Sequence, residues 1–255
     1  MRIVKIIFIV LLIIAALLSL NEVIKDGPCS LIKNLKNKNL DSKALVLKIK
    51  FFGIIPGAVA RIEDLGIEKF DRKNVFHLRA TAQTMSYFSK MFNAQMQADS
   101  YVDVGKLCPL KFVQRVKTPG KYDYNREIIY DQELKVMKIG DVQREIFQDT
   151  RDPISAVFYI RNQEFKIGKE MTTYINTNQK NYIMTAKVLD YKELTINGEK
   201  TNYWLMTAEV KRADKNPRHK THLTIWFFDN KTKTPFLIKI MSAGGLVTAS
   251  LIGLN

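Results

Sequence analysis

Residues 192–210 read KELTINGEKTNYWLMTAEV and carry the strongest local evidence for the fold of this chain. The pair Asn197-Gly198 separates two segments rich in β-branched and aromatic residues, Lys192 to Ile196 and Glu199 to Val210. Asn-Gly is the favoured dipeptide of two-residue hairpin turns, because both residues tolerate positive φ angles. The stretch therefore predicts two antiparallel strands joined by a tight turn.

Strand patterns continue on both sides of this hairpin. Apolar residues in strand-like patterns predict further strands over residues 45–51, 76–82, 112–117, 125–130, 133–139, 182–188, 223–227, 236–241 and 246–254. Strands at short, regular spacing favour antiparallel pairing. Some segments are apolar on both faces, such as Trp204, Leu205 and Met206. We therefore expect a mainly β fold, a curved antiparallel sheet or incomplete β-barrel with a few short helices packed on its concave side.

The first of these helices is predicted near residue 85. Met85, Phe88, Met91 and Phe92 recur at three- and four-residue spacing, which is typical of an amphipathic helix. Flexible methionine side chains adapt to varied apolar molecules, so these four residues are candidates for the lining of a ligand cavity. Ordinary core packing is the alternative interpretation.

The second helix is predicted to begin at Pro153. Asp152 is a good N-cap, and proline fits the first helical position because its missing N–H is not needed there. Ile154, Val157 and Phe158 follow at helical spacing and are predicted to dock the helix on the sheet. We add these three residues to the candidate cavity lining.

An apolar segment at the start of the chain predicts export. Ile6 to Leu20 contains no charged residue and follows Arg2 and Lys5, the pattern of a signal segment. Both cleavage and retention as an N-terminal anchor stay open. We divide the chain into this segment (1–20), a polar linker (21–43) and one β-rich domain (44–255). The expected location is the periplasm, or the outer face of the inner membrane, of a bacterium.

The chain is strongly basic, with a formal net charge of +15. For an exported protein this charge favours anionic membrane surfaces rather than nucleic acid. A candidate patch for anionic headgroups lies near the end of the predicted hairpin and comprises Lys211, Arg212, Lys215, Arg218 and Lys220. A solvated loop, on a protein that is simply rich in lysine, is the alternative.

Little in the sequence points to catalysis. It contains no nucleophile elbow, phosphate-binding loop or zinc-helix motif, so we predict no catalytic residue, no metal site and no cofactor. Cys29 and Cys108 are the only cysteines. They could form one disulfide in an oxidising compartment, or they could stay as two unpaired thiols.

Three segments together resemble a known family. They are Leu45 to Ala60, Asp152 to Arg161 and Ile225 to Pro235, and they are similar to the family of exported bacterial proteins called domain of unknown function 3108. The resemblance covers roughly Ala44 to Leu254. It implies a curved antiparallel sheet like that of the lipoprotein carriers LolA and LolB, whose concave face holds acyl chains. It supplies no catalytic residues.

These observations favour a non-enzymatic envelope protein that binds a lipid or another apolar group. A membrane lipid or lipidated molecule and the anionic membrane surface are the expected partners, and the oligomeric state stays open. The alternative is an assembly module that recruits partners by adding a strand to the edge of its sheet. An enzyme acting on envelope polymers is the least favoured hypothesis.

Overall fold

The computed structural model describes residues 44–85, 93–118, 123–196, 198–214 and 220–254. These residues form fourteen strands and one helix. The strands are β1 (Ala44–Phe51), β2 (Ile55–Phe70), β3 (Lys73–Thr84), β4 (Gln95–Asp103), β5 (Pro109–Lys117), β6 (Tyr124–Asp131), β7 (Val136–Ile139), β8 (Val142–Glu145), β9 (Glu170–Thr177), β10 (Lys180–Ile196), β11 (Glu199–Arg212), β12 (Lys220–Phe228), β13 (Pro235–Ser242) and β14 (Gly245–Leu254). The helix, α1, spans Pro153–Arg161. The mainly β prediction is confirmed.

All fourteen strands belong to one antiparallel sheet. Its order from edge to edge is β8-β7-β6-β5-β4-β3-β2-β1-β14-β13-β12-β11-β10-β9. Strands β1 to β8 form one meander and β9 to β14 form a second, and β1 pairs with β14 to join them. Strands β8 and β9 are the two edges and do not pair with each other. The predicted incomplete barrel is therefore confirmed.

The segment between the two edge strands contains α1 and crosses the gap in the sheet. The backbone of Arg151 makes a parallel bridge to β9. Its N–H donates to the Tyr174 carbonyl (2.8 Å), and its carbonyl accepts from the Asn176 N–H (2.8 Å). On the other side of the gap, the Asn181 side chain donates to the Glu145 carbonyl of β8 at 2.9 Å. The gap is therefore spanned by hydrogen bonds from the connecting segment and from one side chain.

The hairpin predicted at Asn197-Gly198 is present. Ile196 pairs with Glu199, which leaves two residues between the strands, and Gly198 has a φ of +86°. Asn197 itself lies outside the described residues. Strand β10 is one continuous 17-residue strand, whereas the sequence suggested two pieces. A register shift between Val188 and Asp190 explains the interruption of the pattern, because a bulge changes which residues share a face.

Other parts of the strand prediction were incomplete. No predicted strand segment corresponds to β2, β4, β8 or β9, since polar residues in these strands mask the alternation. Residues 133–135, predicted as strand, form a turn. The Asp131 carboxylate accepts hydrogen bonds from the N–H groups of Glu133 and Leu134, which stabilises that turn locally.

Helix α1 begins where the sequence predicted, but its packing differs from the prediction. Asp152 caps the helix and Pro153 occupies its first turn. The buried residues of α1 are Pro153, Ser155, Ala156 and Ile160, not the predicted docking set of Ile154, Val157 and Phe158. The helix touches β9 on one side and β3 and β4 on the other. Small residues are buried because the helix must approach two parts of the sheet closely.

The core has three clusters, and α1 contacts two of them. One cluster lies around β1, β13 and β14 and includes Leu47, Phe236 and Leu251. Ala156 and Ile160 of α1 belong to the cluster on β9 to β12, and Ile154 packs against the cluster on β4 to β6. The helix therefore joins the two meanders on one side of the sheet.

Gly57 gives the first testable prediction. A Cβ atom at this position would lie 1.9 Å from Cε2 of the Phe51 ring. Gly57→Ala is therefore expected to displace the ring and to lower the free energy of unfolding by about 1 to 3 kcal/mol in urea denaturation. Gly105→Ala is the control, because its Cβ would meet only Asp103 Oδ1, at 3.4 Å. Equal stabilities of the two variants would contradict the prediction.

Candidate functional site

An apolar cavity between α1 and the sheet is the main candidate site. The helix contributes Pro153, Ala156, Val157 and Ile160. The facing wall is one face of β9 to β12 and consists of Ile175, Thr177, Tyr182, Met184, Ala186, Met206, Ala208, Val210, Thr221, Leu223, Ile225 and Phe227. The cavity volume is about 100 Å³, and the cavity is partly open to solvent. No charged side chain lines it.

The size of the cavity limits what it could hold. An apolar cavity of about 150 Å³ accepts a molecule such as benzene. The enclosed volume of about 100 Å³ is therefore suited to part of an apolar molecule, such as the end of an acyl chain, and not to a whole lipid. The remainder of a longer ligand would have to lie along the open side.

One end of the cavity is polar. Thr177, Tyr182 and Thr221 line it there. Tyr182 pairs with Arg212 in the register of β10 and β11, and paired residues share a face of the sheet, so Arg212 lies on the cavity face beyond Tyr182. Burial raises the pKa of Tyr182, and nearby Arg212 opposes this shift. The Tyr182 hydroxyl therefore stays protonated at neutral pH and can donate a hydrogen bond.

The predicted basic patch is divided by the sheet. Lys211 pairs with Lys220, and these two residues lie on the face opposite to the cavity because they alternate with Val210 and Thr221. Arg212 is on the cavity face, and its guanidinium forms two hydrogen bonds to Asp214, from Nε (2.8 Å) and Nη2 (2.5 Å). Lys215 and Arg218 lie outside the described residues. A role in binding headgroups stays a prediction for this patch.

The start of the helical wall is fixed by Asp152. Its Oδ1 atom accepts hydrogen bonds from the backbone N–H groups of Ile154 (2.8 Å) and Ser155 (3.1 Å). Its Oδ2 atom accepts from the hydroxyl of Ser155 at 3.0 Å and from that of Ser100, which lies on β4. Burial raises the pKa of Asp152, although these hydrogen bonds oppose the shift. The carboxyl group thus ties α1 to the other meander.

The end of the helix is fixed by Arg161. Its Nε atom donates to the Thr232 carbonyl at 2.9 Å, in the loop between β12 and β13. Burial lowers the pKa of Arg161, and the charge of Asp64 opposes this shift. With both ends attached to different parts of the sheet, α1 forms a fixed roof for the cavity.

Arg151 supports the same roof from the gap between the edge strands. Its guanidinium lies 3.6 Å from the centroid of the Tyr159 ring of α1. Its Nη1 atom donates to the Asp149 carbonyl (2.9 Å) and to the Thr173 hydroxyl of β9 (2.8 Å). The segment from Arg151 to Pro153 therefore has an architectural role, which explains why it stands out in the sequence.

A second polar cluster surrounds Asp99 on β4. Asp99 Oδ1 accepts hydrogen bonds from His77 Nε2 (2.9 Å) and Arg79 Nε (2.6 Å). Asp99 Oδ2 accepts from Gln97 Nε2 (2.7 Å) and Arg115 Nη1 (3.3 Å). Burial alone would raise the pKa of Asp99, but the hydrogen bonds from Gln97, His77 and Arg79 outweigh it and lower the pKa.

This cluster has the character of a structural network. A carboxylate has about four acceptor positions, and four donors from three strands occupy those of Asp99. His77 also contacts Glu68 Oε2 at 3.3 Å and stacks on Tyr101, with ring centroids 4.6 Å apart. No acceptor position of Asp99 is left over for a ligand, so the cavity is the better candidate site.

The structure separates the residues predicted to line a cavity. Val157 lines the cavity under α1. Ile154 instead packs against the cluster on β4 to β6, and the Phe158 ring lies 5.1 Å from that of Phe76. Met85 follows β3 and does not line this cavity. Phe88, Met91 and Phe92 lie outside the described residues.

Cys108 is buried, with 1% of its surface exposed. Burial raises the pKa of its thiol to about 11, so the thiolate is scarce at neutral pH and the residue is a poor nucleophile. Its proposed disulfide partner, Cys29, lies outside the described residues, and the pairing stays a prediction.

Sequence reasoning missed most of the sheet wall of the cavity. The shared face of Tyr182, Met184 and Ala186 was visible from their alternation. The small residues Ala186 and Ala208 were a second indication of a cavity, because they pair across β10 and β11 and leave space between larger neighbours. The Asp99 cluster was also missed, since its donors come from three strands.

Two further observations concern the described residues. No three His, Cys, Asp or Glu side chains in them are grouped so that they could bind a metal ion. The one helix in the described residues is too short to cross a bilayer.

Comparison with protein families gives one match over most of the chain. The family is described as "Protein of unknown function (DUF3108)", and it matches residues 49–252. No curated protein matches the sequence.

Comparison with solved structures gives a similar fold. A beta-barrel-like protein of domain of unknown function DUF1849 from Brucella abortus has a TM-score of 0.54 and 10% identity, and the match covers 83% of this chain and 96% of that one. A DUF1089 family protein from Pseudomonas aeruginosa has a TM-score of 0.39 and 9% identity, over 71% and 88% of the two chains. A protein described as a putative lipoprotein, from Parabacteroides distasonis, has a TM-score of 0.37 and 8% identity, over 84% and 95%. The first of these shows a shared fold, and none of them indicates a ligand.

Proposed function

This chain belongs to the DUF3108 family, whose function is unknown, and on that premise we propose that it is a non-enzymatic exported protein that binds an apolar group under α1. The observation that carries the proposal is the cavity itself, with helix on one side and four strands on the other. The apolar leader, Ile6 to Leu20, supports export to the periplasm or the outer face of the inner membrane.

The chemistry of the walls favours an alkyl chain over a polar ligand. Within the cavity, methionine, alanine and branched aliphatic side chains predominate, and hydroxyl groups occur only at the end near Tyr182. Burying one CH₂ group is worth about 0.8 kcal/mol, or about a fourfold gain in affinity. A ligand that places a few CH₂ groups between α1 and the sheet would therefore bind appreciably without any charged contact.

A chain-length series tests the proposal on the full-length protein. Displacement of the fluorescent fatty acid cis-parinaric acid by saturated fatty acids of 6 to 16 carbons would give their relative affinities. We expect about a fourfold gain per added CH₂ at first, then a plateau when the enclosed space is full. No displacement by any chain length would refute the proposal. A gain that continued to the longest chain would point to partition onto an open surface and would also refute it.

Filling the cavity should weaken the same binding. Ala186→Leu places a larger side chain between α1 and the sheet, since Ala186 is 1% exposed and lines the cavity. We expect about a tenfold loss of affinity for dodecanoate, because the new side chain takes the place of about two ligand CH₂ groups. Thr185→Leu is the matched control: Thr185 is the adjacent residue on the other face of β10 and is exposed. Equal affinities in the two variants would argue against this cavity.

The strand-addition alternative has weaker support. Edge strand β8 has only four residues, Val142–Glu145, and short edges offer few backbone groups to a partner. The other edge, β9, already bonds the backbone of Arg151 on its outer side. Added strands would have to displace these contacts.

A further inference from the structure

The turn between β1 and β2 is an apolar projection on a basic end of the sheet. Phe52 is 42% exposed, Ile54 67% and Ile55 38%. Three exposed apolar side chains within four consecutive residues are unusual for a hairpin turn, where polar residues and glycine predominate.

The backbone conformation of this turn is one that disfavours a large side chain. Phe52 has a φ of +53° and Gly53 a φ of +74°, and the Ile54 N–H bonds the Phe51 carbonyl at 3.2 Å. Such a turn favours Asn-Gly, because a large side chain at positive φ is strained. The backbone conformation of the turn therefore does not explain phenylalanine at position 52.

Basic residues lie at the same end of the sheet as the projection. The antiparallel order β2-β1-β14-β13-β12-β11-β10 brings the β1–β2 turn to the same end as the start of β12 and the end of β11. The basic residues placed there are Lys50, Lys180, Lys211, Arg212 and Lys220. Two of them form ion pairs, Lys220 with Glu209 and Arg212 with Asp214, so the basic residues still outnumber the carboxylates. Met241, which is 53% exposed, lies near the β13–β14 turn at this end.

The turn that holds Leu134, at the opposite end of the sheet, differs in charge from the β1–β2 turn. Leu134 is 68% exposed, and Asp131 and Glu133 outnumber Lys135 in and beside its turn. The β1–β2 turn contains no carboxylate. The other turns at the opposite end carry both signs of charge, since Asp71 is followed by Arg72 and Lys73, and Asp103 by Lys106. Charge therefore distinguishes the β1–β2 turn from the Leu134 turn, and an anionic surface would repel the latter.

We propose that the basic end of the sheet docks on an anionic lipid bilayer and that Phe52, Ile54 and Ile55 insert into its interface. Moving the apolar side chains out of water lowers the free energy of the bound state. The negative surface potential of the bilayer also attracts the lysine and arginine residues at this end of the sheet. The polar end of the cavity, marked by Tyr182 and Thr221, lies at this same end of the strands. Docking would orient that end toward the lipid, but the proposal does not depend on a ligand in the cavity.

Tryptophan depth measurements on the full chain test the docking surface. Ile54→Trp and Leu134→Trp form a matched pair, since the two residues are 67% and 68% exposed at opposite ends of the sheet. Vesicles of phosphatidylglycerol with dibrominated acyl chains should quench and blue-shift the added emission of Ile54→Trp and leave that of Leu134→Trp unchanged. Both variants keep the same leader, so the difference between them reports only which end of the sheet meets the bilayer.

Tm and vesicle binding of two asparagine variants separate an effect on membrane insertion from an effect on folding. Phe52→Asn should leave Tm unchanged or raise it, because asparagine suits the positive φ, and should weaken binding to phosphatidylglycerol vesicles about tenfold. Leu134→Asn should leave binding unchanged. Equal quenching at positions 54 and 134, or none at position 54, would overturn the proposal. So would a concentration-dependent dimer that Phe52→Asn abolishes, because the projection would then bind a second copy of the chain.

Discussion

Replacing Asp152 by alanine is expected to lower the free energy of unfolding by about 2 to 4 kcal/mol. Loss of an N-cap costs about 1 kcal/mol, and a buried hydroxyl left without its partner costs about 1 to 3 kcal/mol, so the lower part of this range, about 2 to 4 kcal/mol in all, is the expected loss. Asp152 holds the two N–H groups at the start of α1 and the hydroxyl of Ser100, which has no exposed surface. The Ser155 hydroxyl also bonds the Asp152 side chain, but it keeps a partner in the variant, because it donates to the backbone carbonyl of residue 152 at 3.0 Å. The effect should therefore exceed that of an ordinary cap, because the same side chain also joins the helix to β4 through Ser100. Urea denaturation at neutral pH would measure it.

Asp152→Asn is the informative comparison. Asparagine is as good an N-cap as aspartate, and its oxygen can accept from the N–H groups of Ile154 and Ser155. Its NH₂ group would face two hydroxyls, which can accept as well as donate. We therefore expect a loss below about 1 kcal/mol at neutral pH. A loss as large as that of the alanine variant would show that the carboxylate charge, not the hydrogen bonds, holds α1 in place.

The difference in stability between the natural protein and Asp152→Asn should change with pH in one direction. Because the folded-state pKa of Asp152 is raised, its carboxyl favours the folded state most at low pH, and this contribution is lost as pH rises through the folded pKa. Asp152→Asn lacks that titration. Its stability relative to the natural protein should therefore improve as pH rises above about 4.

Features fixed by near neighbours in sequence were predictable. The turn between β10 and β11 has Gly198 at positive φ, and the start of α1 depends on Asp152 and Pro153. The alternation in β1 set its buried face, with Leu45, Leu47 and Ile49 inside. In each case the determining interactions lie within a few residues, so sequence patterns suffice.

Features fixed by distant pairing were not predictable. The pairing of β1 with β14 joins residues about 200 positions apart, and no local pattern indicates it. The burial of Ala156 and Ile160 depends on α1 lying between two meanders, so helical spacing alone identified residues that contact the sheet, such as Ile154 and Phe158, but not the most buried ones. The cavity is a further consequence of that arrangement, which is why, among the predicted lining residues that the structure describes, only Val157 lines it.

The second large effect is expected at Asp99. Asp99→Ala should lower the free energy of unfolding by about 2 to 3 kcal/mol, because it leaves His77, Arg79 and Gln97 without their common acceptor. Loss of one member of a fully buried charged network costs about 3 to 5 kcal/mol. The smaller value applies here because the side chains of Arg79 and Arg115 are 32% and 50% exposed and can bind water instead.

Asp99→Asn should be nearly as harmful as Asp99→Ala, in contrast to the same change at Asp152. The partners of Asp99 include the guanidinium groups of Arg79 and Arg115 and the Gln97 NH₂ group, which can only donate. An asparagine NH₂ group would face such a donor, whichever way the amide is turned. The two conservative substitutions thus distinguish a carboxylate held by hydroxyls from one held by obligate donors.

Acid titration completes the test at Asp99. Its pKa is lowered in the folded protein, so its contribution to stability is present above the unfolded pKa and is lost as pH falls through the folded pKa. The stability difference between the natural protein and Asp99→Asn should be constant above about pH 5 and should shrink at lower pH. The pH dependence of this stability difference is opposite to that expected for Asp152→Asn. Measuring both aspartate-to-asparagine variants over the same pH range therefore supplies an internal control. A difference at Asp99 that does not change between pH 7 and pH 3 would show that the folded-state pKa is not lowered and that the hydrogen bonds from Gln97, His77 and Arg79 do not outweigh burial.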